Sequence, residues 1–174
     1  TALGGVAFVQ TYPPRLIPET INLENFEQAF SSRNFGRAIL NSAGVATSTA
    51  VMVTALASMM AYSFARFDFR GKKVLFGLLL LMIMIPGVVL LIPQFILAKN
   101  LGLINSLPGL VLVYSAGPLA FNTFLLRGFF ENLPRELEES AIIDGASPFT
   151  VFWRVMLPLA APAISTVAVF SFLG

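Results

Sequence analysis

The sequence predicts an all-α membrane protein, a polytopic bundle of transmembrane helices, and two observations carry that prediction. The chain is 56% hydrophobic and only 11% charged, against about 25% charged for a soluble domain. Its apolar residues fall into long uncharged runs separated by short charged segments, the pattern of a multi-spanning protein rather than of a globular core. Histidine and cysteine are both absent. Disulfide scaffolds, thiol chemistry and the usual zinc sites are therefore excluded. The chain opens on Thr1 and ends inside an apolar run at Phe172, Leu173 and Gly174. A helix cut there would leave carbonyls unpaired in lipid, so a longer protein is expected, with a span before Thr1 and the rest of one after Gly174.

Residues 38–65 form the first predicted span, uncharged and long enough to cross a core of about 30 Å. Its interior is small rather than greasy, with Ala43, Gly44, Ala46, Ala50, Ala55, Ala57, Ser58 and Ala61. Small residues let helix backbones approach closely, so this span is expected to pack against protein. Residues 74–98 are a second, Leu- and Ile-rich span, interrupted by Pro86-Gly87 and Pro93, where kinks or breaks are expected. Residues 104–126 are a third, with Pro108 near its start and Gly117-Pro118 in its middle. Residues 157–174 begin a fourth.

Orientation follows from the cations. Arg66, Arg70, Lys72 and Lys73 lie between the first two spans, and Arg127, Arg135 and Arg154 between the third and fourth; the other side holds Arg15, Arg33, Arg37 and Lys99. The excess places the 66–73 turn and the 131–156 segment in the cytoplasm. Residues 10–37 then form an extracytoplasmic loop, with a short surface helix expected over 23–31.

The 131–156 segment is predicted to be two short helices at an angle. Pro134 suits the first turn of the first helix, and Glu136, Glu138 and Glu139 suit the positive end of its dipole. Gly145 suits the left-handed position that ends a helix. Ser147 and Pro148 supply an N-cap and first helical residue for the second. Asp144, at an unfavourable C-terminus, is expected to point across the glycine turn at the free N–H groups of the second helix. A solvated loop with two interfacial helices would account for the helix punctuation alone. Ile142, Ile143, Phe149, Phe152 and Trp153 tilt the reading toward a docking surface, because a solvated loop has no need of so many large apolar side chains.

The same segment resembles the cytoplasmic EAA loop of permease subunits in binding-protein-dependent ABC importers. The family pattern is Glu-Ala-Ala, three residues, Gly, nine residues, Ile, one residue, Leu-Pro. Here it is met by Glu139-Ser140-Ala141, Gly145, Val155, Met156 and Leu157-Pro158, with serine for the first alanine and valine for isoleucine. AYSFARFDFRGKK, MIPGVVLLIPQF, LGLINSLPGLVLVY and FLLRGFFENLPRELEESAIIDGA further resemble the carbohydrate-type permeases, the maltose and glycerol-phosphate importers among them.

That resemblance implies a permease subunit of a sugar-uptake importer in a prokaryotic inner membrane. Its partners would be cytoplasmic ATP-binding-cassette subunits, a second permease (commonly a different chain), an extracytoplasmic solute-binding protein and the bilayer; nucleic acid is not implied. The resemblance places Glu139, Ser140, Ala141, Asp144, Gly145, Val155, Leu157 and Pro158 in the ATPase-coupling elbow. The chain contains no GxxxxGK[ST] phosphate loop, so ATP and Mg²⁺ are expected on the partner, with no cofactor or catalytic residue here. Gln94, Asn122 and Asn41 are the candidates for the substrate path, against the plainer role of interhelical hydrogen bonding. Gln94 leads because it adjoins the break at Pro93, and irregular backbone at membrane depth lines protein or water. The alternative is a subunit of an ion-coupled secondary transporter or a channel. The apolar runs hold no acid or base for a relay, which argues against the former.

Overall fold

The computed structural model describes residues 35–173, all helices and short turns, with no strand among the described residues. The expected 23–31 surface helix and nearly all of the 10–37 loop lie outside them. Two compact units are distinguished, Thr1–Ser42 and Ala43–Gly174. Of the first, only 35–42 are described, as the opening turns of α1. The core lies within the second.

Helix α1 runs over Phe35–Arg66, and its buried stripe is the small-residue face the sequence offers. Val53, Ala57 and Ala61 are fully buried, with Ser58, Tyr62 and Ala65 beside them. Spacing by fours puts Val53, Ala57, Ala61 and Ala65 on one side of the helix. One face of this span therefore packs against protein, while the remainder is exposed.

The second uncharged run becomes two helices, α2 over Lys72–Met84 and α3 over Gly87–Asn100, bent by 107°. The break falls at Pro86, and Ile85 before it is extended, at φ −82° and ψ 119°. Proline disfavours the helical region for its predecessor, which accounts for the break. Pro93 and Pro118 stay inside continuous helices. Of the expected interruptions, only Pro86 divides its run.

Helix α4 covers Leu107–Asn132 and outlasts the predicted 104–126 span. Arg127 ends the uncharged run without ending the helix. It pairs with Glu131 one turn later at 2.8 Å, an i,i+4 arrangement that favours continuing. Its guanidinium also lies 3.8 Å from the centre of the Phe76 ring, joining α4 to α2 by a cation–π contact. At the start of α4, Ser106 Oγ accepts from Gly109 N–H at 3.1 Å and donates to the Leu103 carbonyl at 2.7 Å.

After α4 come α5 (Glu136–Ile143), α6 (Pro148–Val151), a π-helical turn (Phe152–Met156), α7 (Leu157–Leu159) and α8 (Ala161–Leu173). The second elbow helix was expected to end at 156, with Leu157-Pro158 turning the chain. Instead the helical path runs on over Pro148–Leu159 and bends by 78° into α8. The π turn explains this. Leu157 N–H bonds the Phe152 carbonyl five residues back, and the widened turn absorbs Pro158, which lacks an N–H and would crowd an ordinary α-helix.

By length and composition, α1 and α4 can each cross a membrane, and two further spans arise if each bent pair counts as one. The main core joins Ala57, Ala61 and Tyr62 of α1, Leu126 and Phe130 of α4, Val151, Phe152 and Met156 of the elbow, and Val167 of α8.

Candidate functional site

The elbow owes its angle to two capping motifs that meet at Gly145. At the end of α5, Ala146 N–H bonds the Ala141 carbonyl and Gly145 N–H bonds the Ile142 carbonyl, both at 2.9 Å. This is the Schellman arrangement, which requires a left-handed residue between the two donors. Gly145 supplies it at φ +86°. Ser147 then caps α6, its Oγ accepting from Thr150 N–H at 3.3 Å, with Pro148 in the first turn. The predicted roles of Gly145, Ser147 and Pro148 are all observed.

The role expected of Asp144 is not. Its carboxylate takes no hydrogen bond and does not reach the N–H groups of α6, where Ser147 is the cap. The serine is the cap residue itself, adjacent to the N–H groups, whereas Asp144 lies back in the last turn of α5.

The structure divides the sequence-predicted elbow residues into two faces. Glu139, Ser140, Asp144, Gly145 and Pro158 are exposed, together with Ile142, Ile143, Phe149 and Trp153. Ile143 is 85% exposed and Phe149 67%, the latter beside the Trp153 ring at 6.0 Å between centres. Ala141, Val155 and Leu157 are half-buried against the core, and Phe152 is buried. Ala141 therefore serves the packing under the elbow, and the apolar cluster read as one docking surface loses Phe152 to the interior.

That interior face is anchored on α1. Tyr62 meets Phe130 of α4 at 5.7 Å between ring centres and Phe67 at 5.6 Å, both edge-on. Arg66, at the last residue of α1, reaches in two directions. Nη2 donates to the Leu133 carbonyl at 2.8 Å, filling an acceptor left open at the end of α4. Nε lies 2.7 Å from Glu138 Oε1 of α5. The Arg66 and Glu138 side chains are only 4% and 14% exposed. The contact is a close ion pair without the alignment of a hydrogen bond. Burial pushes the Glu138 carboxyl above its usual value, and the Arg66 and Arg135 charges only partly offset this.

Sequence reasoning missed this pair. Arg66 was counted as one of the orienting cations and Glu138 as a helix-dipole charge. Nothing local links them, because their meeting depends on how α4 returns the chain to the end of α1. The contact also puts the end of α1 and the elbow at one end of the bundle, as the charge distribution requires.

The substrate-path candidates separate too. Gln94 is half-buried and its amide makes no hydrogen bond. It lines a groove of about 570 Å³ with Leu91, Phe95, Asn105, Ser106 and Tyr114. Asn122 is fully buried, and its amide donates to Ser171 Oγ of α8 at 2.9 Å, the interhelical role weighed against ligand contact. Asn41 is exposed on α1. No cluster of His, Cys, Asp or Glu suited to a metal occurs among the described residues.

Comparison with known proteins places this geometry. Residues 53–174 match the family model described as binding-protein-dependent transport system inner membrane component. The chain is 39% identical to the diacetylchitobiose uptake system permease protein NgcG of Streptomyces coelicolor, over 92% of this chain and 53% of that one. It is 38% identical to the trehalose transport system permease protein SugB of Mycobacterium tuberculosis, over 91% and 58% respectively. The chain thus spans little more than half the length of these relatives. A crystal structure of a bacterial ABC transporter involved in the import of the acidic polysaccharide alginate shares the fold, with a TM-score of 0.66 at 22% identity, over 96% of this chain and 58% of that one.

Proposed function

The chain belongs to the family of binding-protein-dependent transport system inner membrane components, multi-pass proteins of the inner membrane, and on that premise we propose that it is the permease subunit of a sugar-importing ABC transporter whose elbow, 134–158, docks on a cytoplasmic ATPase. The observation that carries this is the exposed face itself. Glu139, Ser140, Ile142, Ile143 and Phe149 project from a scaffold fixed by two caps and a buried ion pair. Large apolar side chains on a rigid, protruding element are the usual anchors of a partner interface. An elbow that must transmit force has to be stiff, and this one is capped at its corner and packed on its inner side.

The further partners follow from the family: a second permease and an extracytoplasmic solute-binding protein. Relatives that carry diacetylchitobiose and trehalose support a sugar as the solute. Gln94 is the residue best placed to meet it, having a free amide in an apolar groove beside Tyr114. ATP and Mg²⁺ would act on the partner chain.

Docking is tested by co-purifying the full-length protein with its ATPase after Ile143→Glu and Phe149→Glu. Both side chains are exposed, so insertion and folding should persist while ATPase recovery falls. Undiminished recovery would contradict the docking reading. For the path, Gln94→Leu should weaken uptake assayed with trehalose and diacetylchitobiose; an unchanged affinity and rate for whichever sugar is carried would remove Gln94 from it.

A further inference from the structure

Three elements meet at the elbow, but only two are joined to it by the chain. Helix α4 leads into it through Leu133, and α8 leaves it after Ala160. Helix α1 adjoins the elbow in space but not along the chain, so a direct transfer of elbow motion to α1 runs through side chains. Two kinds of contact are available. One is apolar: Tyr62 on Phe152 and Phe130, above the alanine face of α1. Such contacts are non-directional and can slide. The other is Arg66, which grips α5 through Glu138 and the end of α4 through the Leu133 carbonyl at the same time. A planar guanidinium holding two partners in different directions fixes an angle that sliding surfaces do not.

We propose that Arg66 is the positioning residue that locks the elbow to the end of α1, so that both move as one rigid body and a displacement of the elbow is delivered to α1 as well as to α8. This rests on the reading of the elbow as the ATPase-coupling surface. The location of the pair agrees with it. Separating the two groups would leave Arg66 buried without its carboxylate and Glu138 with only the Arg135 charge to offset its burial, since neither side chain has more than marginal access to water. Breaking such a pair is costly even where forming it gains little. The joint therefore resists opening under load.

The chain has no cysteine; with any cysteine elsewhere in the assembly replaced by serine, spin labels report only the introduced pair. Ser140→Cys on the elbow and Val51→Cys on α1 are both exposed. Their separation is measured by double electron–electron resonance in the full-length protein, assembled with its partner permease and ATPase, with and without ATP. The expected wild-type result is one narrow distribution that ATP does not alter. Arg66→Gln should broaden and shift it, and Arg66→Lys, which keeps the charge without the fork, should broaden it to a lesser degree, a graded response that a merely space-filling Arg66 would not show. If Arg66→Gln does not insert, the Arg66→Lys distribution carries the test.

An Arg66→Gln (or Arg66→Lys) distribution as narrow as wild type would overturn the inference. A third label pair, between Ser140→Cys and the ATPase groove, separates the two readings. If the wild-type elbow moves with ATP while the Ser140–Val51 separation also changes, the rigid-body inference alone falls. If no label on the elbow ever approaches the ATPase, the coupling reading falls first.

Discussion

The rings of Tyr62 and Phe152 lie 5.0 Å apart and tilted by 41°, joining the end of α1 to the π turn of the elbow. Phe152 was read from sequence as part of an apolar docking face. Its burial instead makes it the inner anchor, with Val151 and Met156 on either side. The outer face is then left to Ile142, Ile143, Phe149 and Trp153.

This division predicts opposite outcomes for neighbouring phenylalanines. Phe152→Ala should destabilise the protein by about 3–5 kcal/mol, the usual cost of emptying a buried aromatic site. Phe149→Ala, at a residue 67% exposed, should cost no more than about 0.5 kcal/mol. Thermal unfolding in detergent checks both.

Gly145→Ala tests the corner. A methyl group there meets nothing within 4 Å, so the penalty comes from its φ of +86° alone. About 1–2 kcal/mol is expected, with Gly145→Asn milder because asparagine tolerates the left-handed region. Equal stability of the Ala variant and wild type would contradict the Schellman geometry.

Glu138 predicts a pH dependence. Burial raises its folded-state carboxyl above the ordinary 4.5, so the folded protein binds a proton more readily than the unfolded chain. The stability this contributes is fully present below pH 4.5 and is lost as pH rises through the folded value. Glu138→Gln should abolish that slope in an unfolding titration across the weakly acidic range. Arg66→Met alone should cost about 3–5 kcal/mol, and the double variant Arg66→Met/Glu138→Leu far less, because no charge is left buried.

Asn122 and Ser171 should behave as a coupled structural pair. A double-mutant cycle with alanine at each position should return about 0.6 kcal/mol, the average for interhelical hydrogen bonds in membranes. A cycle that closes to zero would contradict the bond between α4 and α8.

Much of this was legible in the sequence because membrane spans and helix caps are local signals. Uncharged runs gave the helices, Pro86 the one break, and Gly145, Ser147 and Pro148 the elbow's corner. What was not legible depends on contacts between distant segments or on cumulative backbone geometry. Arg127 closed a run by its charge, yet with Glu131 it extends α4 instead. Pro158 promised a turn, and a π turn two residues earlier moved it to Ala160. Asp144 had the chemistry to reach across the turn, but Ser147, the predicted cap, already meets the N–H it would have sought. The Arg66–Glu138 pair had no sequence signal at all, since each charge had a sufficient local explanation.

The central claim is that the exposed face of the elbow is where a cytoplasmic ATPase engages this chain. It is tested most directly by Ser140→Cys in the full-length protein, with any cysteine outside residues 1–174 replaced by serine, co-expressed with its ATPase carrying one cysteine in the groove opposite. Disulfide cross-linking is followed in membranes with and without ATP. The account predicts a specific cross-link whose yield changes with nucleotide. Absence of any cross-link at Ser140, and at the other exposed positions scanned from Glu136 to Gly145, would contradict it.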